Sequence, residues 1–279
     1  MSLVVNDTKV KTPFRYPGGK FYALKYLLPF INAIEHDEFR ESFVGGGSVF
    51  FGKPKSAINW INDIDPKLIT TYKVIQDPVM RAQLIKLVEN EIASPERHAE
   101  VKKMIPKGDL ETAFWYYYMN RTSFSGKMIH PSWGYREKRS IPPHRWAEVI
   151  EPAGEKLSGA QITSGDFEML ITGPSRGKVL LYVDPPYFQP PKKKHYLNGF
   201  SYEDHIRLRD ALKKTEHAFL LIYEDCEEIR ELYSWAHIYN LAFHYRVGDS
   251  TTTGLKRSHG REVVITNRLL SDVEQLRIF

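Results

Sequence analysis

The stretch that most constrains this chain is KVLLYVDPPY, residues 178–187. Five consecutive apolar or aromatic residues, 179–183, carry no polar alternation. Such a run suits a strand covered on both faces, as in parallel sheets. Asp184, Pro185, Pro186 and Tyr187 then end it. Two successive prolines remove two backbone donors, so a ladder cannot continue past them. The carbonyls and the carboxylate at this point face whatever lies beyond the sheet.

The rest of the chain supplies partners for such a strand. GGKFYALKYLLPFINAIE has helical spacing, EFRESFV reads as a short strand running into Gly45-Gly46-Gly47, and SVFFGK opens a helix. SAINWINDID reads as a second strand and PKLITTYKVIQ as a helix with Pro66 in its first turn. After residue 154 the alternation resumes in GAQITSGDF, KVLLYVDPPY, YEDHIRLRDALKK, HAFLLIYED and CEEIRELYSWA. HIYNLAFHYRV and REVVITN suit a closing strand pair. Strands alternating with helices predict an α/β fold with a mainly parallel sheet. Ligands of such sheets bind at the carboxyl ends of strands, where the notable motifs fall.

Residues 66–154 have a different texture. Two helical patterns, DPVMRAQLIKLVENEI and DLETAFWYYYMNR, lead into the aromatic, basic and turn-rich TSFSGKMIHPSWGYREKRSIPPHRW. This portion reads as an inserted, mainly helical domain, with residues 1–65 and 155–279 forming the parent domain.

Composition narrows the classes. Hydrophobic residues make up 42% of 279, enough for one large domain with an insertion. A mean hydropathy of −0.41 argues against a membrane span. MSLVVNDTKVKTPF has no secretory pattern. The single Cys226 leaves no internal disulfide framework and suits a reducing cytoplasm. The ten histidines show no metal-ligand spacing, so no metal is expected. The net charge of +5 is weak evidence for a polyanion partner. The basic residues concentrate in GYREKRSIPPHRW, PPKKKHY and GLKRSHGR, all loop-like and mostly of one sign.

FVGGGSVF stands between a strand and a helix, where glycines permit a tight turn and close approach of a ligand. Asp63 follows Gly45 by eighteen residues, close to the ~20-residue spacing at which an acid meets ribose hydroxyls in nucleotide-binding units. The structural alternative is a helix cap at Pro66; Asp65 suits the cap and Asp63 the ligand. No G-x-x-x-x-G-K-[ST] phosphate cradle is present. An adenosine cofactor without phosphates fits better than a nucleoside triphosphate. A carboxylate beside a carbonyl at Asp184-Pro185 offers two acceptors to an exocyclic NH2 group, and Tyr187 offers a flat face to a base.

Taken together, RYPGGK, ESFVGGGSVF, INDIDPKLI, NRTSFSG, SGDFE, YVDPPYF and REVVITN, in this order, resemble the Dam-like (D12 class, alpha group) DNA adenine-N6 methyltransferases. The resemblance spans nearly the whole chain. It implies a Rossmann-like methyltransferase sheet with the insert as target-recognition domain, and S-adenosyl-L-methionine as cofactor. Tyr16, Gly18 and Lys20 would meet that cofactor, Lys20 at its carboxylate. Phe43, Gly45 and Gly47 would pack round it, Asp63 would hold its ribose, and Asp166 with Phe167 would border its adenine. Asp184, Pro185, Pro186 and Tyr187 would form the catalytic motif: Asp184 and Pro185 would hold the target amino group, Tyr187 would stack on the flipped adenine, and Asp184 would also border the cofactor. Asn120, Arg121, Lys127, Arg136, Lys138 and Arg139 would contact double-stranded DNA, joined by Lys193, Lys256 and Arg257 from the two basic loops. The Asn120-Arg121 pair has a structural alternative, orienting the insert. Where GATC-methylating members carry an arginine after the glycine matching Gly126, this chain has Lys127 and His130, so the resemblance leaves the recognised sequence open. A monomer in the cytoplasm of a bacterium, or encoded by a phage, associated with the nucleoid and partnered by a cognate restriction endonuclease, is the expected setting. Two rivals remain: an amino-methyltransferase acting on RNA or protein glutamine, and a DNA-binding protein that kept the fold without activity.

Overall fold

The computed structural model describes residues 10–188, 200–242 and 261–270. The elements run α1 (Leu24–Asn32), β1 (Glu38–Glu41), α2 (Ser48–Gly52), β2 (Ile58–Asp63), α3 (Pro66–Gln76), α4 (Pro78–Glu89), α5 (Pro95–Lys102), α6 (Gly108–Thr122) and α7 (Ala147–Leu157). They continue β3 (Gln161–Ser164), α8 (Glu168–Thr172), β4 (Val179–Val183), α9 (Tyr202–Lys214), β5 (Ala218–Glu224), α10 (Glu227–Leu232), β6 (His237–Ala242) and β7 (Arg261–Thr266).

The strands form one seven-stranded sheet in the order β3-β2-β1-β4-β5-β7-β6. β7 runs antiparallel to both its neighbours, and the other pairings are parallel. The chain therefore builds outward from β1 to β3, returns, and builds the other way from β4. β1 and β4 flank the switch point, where a crevice opens at the strands' carboxyl ends.

β4 is buried along its whole length, as its unbroken apolar run requires. Leu180 and Tyr182 pack with α1 on one face. Val179, Leu181 and Val183 pack with α9 and α10 on the other. β1 is also buried although its sequence is EFRE. Its Arg40 is satisfied there by Glu38 at 2.7 Å and by the carbonyls of Leu170, Gly173 and Pro174. A buried guanidinium persists only when its donors are met in this way.

The segment between β2 and β3 is helical, as its pattern predicts. Its helices share a core with the sheet side of the molecule: Ile61 of β2 and Ile162 of β3 belong to the same buried cluster as Tyr72, Tyr117, Trp146 and Leu157. Asp65 caps α3 by accepting from the backbone of Lys67 and Leu68, with Pro66 in the first turn. No helix among the described residues is long and apolar enough to cross a membrane.

Candidate active site

A cavity of about 310 Å³ opens at the switch point. Tyr16, Gly18 and Lys20 line it from the segment before α1, and Phe43, Gly45 and Gly47 from the loop after β1. Asp63 closes it from the end of β2, and Asp166 and Phe167 from the loop after β3. Asp184, Pro185, Pro186 and Tyr187 bound it where β4 ends. Every expected cofactor-site and catalytic residue thus meets in one place, because parallel strands deliver all their carboxyl ends to one edge.

The glycine loop is shaped by backbone that side chains resist. Gly47 has φ 68°, and a Cβ there would stand 2.8 Å from the ring of fully buried Phe51. Gly45 also has positive φ, and its N–H donates to Asp63 Oδ2 at 2.9 Å. The Asp63 Oδ1 accepts from the backbone of Asp65 at 3.0 Å. These two bonds hold the carboxylate still, yet burial pushes its pKa up to about 6. Each carboxylate oxygen retains a lone pair for a further donor.

One end of the cavity is aromatic. Phe43 and Phe167 stack at 5.5 Å, and Phe200 meets Phe43 edge-on at 5.7 Å. Arg207 lies over Phe167 and donates to Asp166 at 3.1 Å.

At the other end Lys20 is almost wholly buried. Its ammonium lies 3.0 Å from Asp184 Oδ1 and donates to the Tyr187 hydroxyl at 2.7 Å. The Tyr187 hydroxyl donates to Glu262, whose carboxylate also lies 3.6 Å from Lys20. Burial raises the Asp184 pKa above the ordinary value, and the Lys20 charge opposes that rise. The Asp184 side chain keeps 19% of its surface exposed, turned to the cavity it lines.

Several residues of this site escaped the sequence reading, among them Phe200 and Arg207 at the aromatic end, and two carboxylates. Glu41, at the end of β1, is buried on the cavity wall and accepts from the backbone of Phe50 at 3.0 Å. Burial holds its pKa well above the usual carboxylate range. An acid on the strand four residues ahead of the first glycine was the available signal. Glu262 lies within REVVITN, but nothing local in that motif ties it to the site, which it reaches only because β7 runs antiparallel.

The expected DNA contacts divide. Lys127, Arg136, Lys138 and Arg139 are exposed. Asn120 is a correction: it is fully buried and bound to backbone. Its Oδ1 accepts from Arg15 N at 2.8 Å, while its Nδ2 donates to Arg15 O at 2.8 Å and Gly126 O at 3.1 Å. It ties the segment before α1 to the end of the α6 region and has no face for DNA. Gly126 is required at this seam, where a Cβ would stand 2.1 Å from Arg15 O. Arg121 is 8% exposed, beside Arg15, so its reach to DNA is restricted in this conformation. Lys193, Lys256 and Arg257 lie outside the described residues.

A mainly parallel sheet, a glycine-walled cavity at its switch point and Asp-Pro-Pro-Tyr on the cavity rim define a Rossmann-like methyltransferase. Residues 16–246 match the D12 class N6 adenine-specific DNA methyltransferases, and the chain belongs to that family. It is an adenine-N6 DNA methyltransferase that uses S-adenosylmethionine as methyl donor. The chain is 29% identical to "Type II methyltransferase M1.LlaDCHI" of Lactococcus lactis subsp. cremoris, over 96% of this chain and 99% of that protein. It is 24% identical to "Type II methyltransferase M.CviBI" of Paramecium bursaria Chlorella virus NC1A, over 88% and 97%. It is 26% identical to "DNA N-6-adenine-methyltransferase" of Escherichia phage P1, over 79% of this chain but 30% of that protein.

Proposed function

We propose that the chain methylates an adenine flipped out of double-stranded DNA, with Asp184 and the Pro185 carbonyl as the acceptors that grip its amino group. The observation that carries this reading is the position of Asp184: on the rim of the glycine-walled cavity, already accepting from an amine donor, Lys20, at 3.0 Å.

The residues present suit the methyl donor. Asp63 retains acceptor capacity for ribose hydroxyls, Phe43 and Phe167 offer an aromatic wall to an adenine ring, and Lys20 can meet a carboxylate. S-adenosylmethionine supplies an electrophilic methyl group on a sulfonium when bound. The chain's part is positioning. An adenine N6 is a poor nucleophile because its lone pair is delocalised into the ring. Asp184 and the Pro185 carbonyl, accepting its two hydrogens, favour a pyramidal nitrogen whose lone pair points into the cavity. Such preorganised acceptors act by orientation and electrostatic complementarity. Stacking on Tyr187 returns roughly 1–3 kcal/mol of the unstacking cost.

The helical segment 66–154 is the DNA reader in this proposal, with Lys127, Arg136, Lys138 and Arg139 as its phosphate or base contacts. The proposal takes the enzyme to act as a monomer. The type II names of two relatives support a cognate restriction endonuclease as partner, and the bacterial and phage sources of two relatives support a cytoplasmic, nucleoid-associated enzyme, bacterial or phage-encoded.

Sequencing for N6-methyladenine in DNA from cells expressing the chain tests the reading and yields the recognised site. Modified adenine at one defined sequence, absent with Asp184→Ala, is expected. No modified adenine with the wild-type chain, or the same level with Asp184→Ala, overturns it.

A further inference from the structure

We infer that Glu262 is a positioning residue for methyl transfer, acting through Tyr187 and Lys20; this rests on the reading of Asp184 and Tyr187 as the target-adenine site.

β7 starts at the edge where the parallel strands end, because it runs antiparallel to β5 beside it. Glu262 therefore enters the site from behind Tyr187. It is 2% exposed, and it accepts from the Tyr187 hydroxyl and neighbours Lys20 at 3.6 Å. Burial raises its pKa, and Lys20 is the main charge opposing that rise.

With Glu262 ionised, as the neighbouring Lys20 charge favours, the polarity of this chain of hydrogen bonds is fixed. An ammonium has only donors and an ionised carboxylate only acceptors. Lys20 donates to the Tyr187 hydroxyl at 2.7 Å, so the phenolic proton must point to Glu262. Two consequences follow for the target. The Tyr187 proton is committed to Glu262, which keeps it off Asp184 and fixes the ring at its far end. The Lys20 ammonium is shared between two carboxylates, which weakens its hold on Asp184. Both leave acceptor capacity on Asp184 for an incoming amino group. Without the Glu262 charge, Lys20 shifts wholly to Asp184 and the phenol can turn toward it, and each competes with the substrate.

The test is single-turnover transfer of a tritium-labelled methyl group from S-adenosylmethionine to mixed-sequence phage DNA grown without adenine methylation. Glu262→Gln keeps the size and an acceptor but removes the charge. Its rate constant is expected to fall about tenfold or more, with cofactor affinity changed by less than about threefold. Tyr187→Phe, which cuts the same link, is expected to slow transfer too. Glu262→Gln/Tyr187→Phe is expected to be no slower than the slower single variant, since both break one chain. A merely structural role would lower the reaction amplitude, the active fraction, and leave the rate constant intact. A wild-type rate constant in Glu262→Gln overturns the inference while wild-type methylation still stands. If Glu262→Gln does not fold, an unaltered rate constant in Tyr187→Phe overturns it. Absence of transfer by the wild-type chain defeats the adenine reading itself, independently of Glu262.

Discussion

The Lys20 ammonium and the Asp184 carboxylate, brought together from the segment before α1 and the end of β4, lie 3.0 Å apart. Burial disfavours the ionised acid at this position, and the lysine counteracts it. The pair thus keeps a largely desolvated carboxylate charged, in the form that accepts hydrogen bonds from an amine.

It follows that Lys20→Met raises the Asp184 pKa further. The acidic limb of the rate profile, where the carboxylate takes up a proton, moves to higher pH. Single-turnover methylation at saturating cofactor from pH 5 to 9 checks this; a limb unmoved or moved to lower pH contradicts it.

The glycine loop gives a stability and binding prediction together. Gly47→Ala places a Cβ against buried Phe51 at positive φ. It should cost about 1–3 kcal/mol of folding stability and weaken S-adenosylmethionine binding by roughly tenfold or more, since the loop forms the cavity wall. Urea unfolding and calorimetric titration measure the two effects.

Asn120 tests the seam between the amino-terminal segment and the helical region. Asn120→Ala leaves Arg15 N, Arg15 O and Gly126 O without their partner. Unmet buried groups of this kind cost roughly 3 kcal/mol in sum. The loss should appear in urea unfolding, while the salt dependence of DNA binding keeps its slope. A stable variant with a shallower slope would return Asn120 to the DNA surface.

The exposed basic stretch gives the converse. Arg136→Ala, Lys138→Ala and Arg139→Ala combined should leave the unfolding midpoint nearly unchanged. The slope of log affinity against log salt should shrink by about 0.9 for each phosphate the variant no longer neutralises. An unchanged slope removes this stretch from the interface.

The sheet and the cavity were legible because four of the parallel strands end in conspicuous chemistry: Gly45 after β1, Asp63 on β2, Asp166 after β3, Asp184 after β4. A local pattern suffices where topology sends every such end to one edge. REVVITN marked the strand of Glu262, but the Glu262 bond with Tyr187 was not legible, because it depends on an antiparallel return across the sheet. For Asn120 the structural alternative fits rather than the DNA contact, and the sequence left both open because an amide looks the same whether it reads a base or clamps a backbone. α5 went unnoticed because PERHAEVK buries only His98 and Val101, although Ser94 caps it and Pro95 opens it.

Methyl transfer by Asp184→Ala to unmethylated DNA, with S-adenosylmethionine affinity measured on the same preparation, tests the proposed site most directly. A rate loss of about a hundredfold to a thousandfold or more is expected, with the cofactor still bound. Transfer at close to the wild-type rate by a variant lacking that carboxylate would contradict the assignment of Asp184.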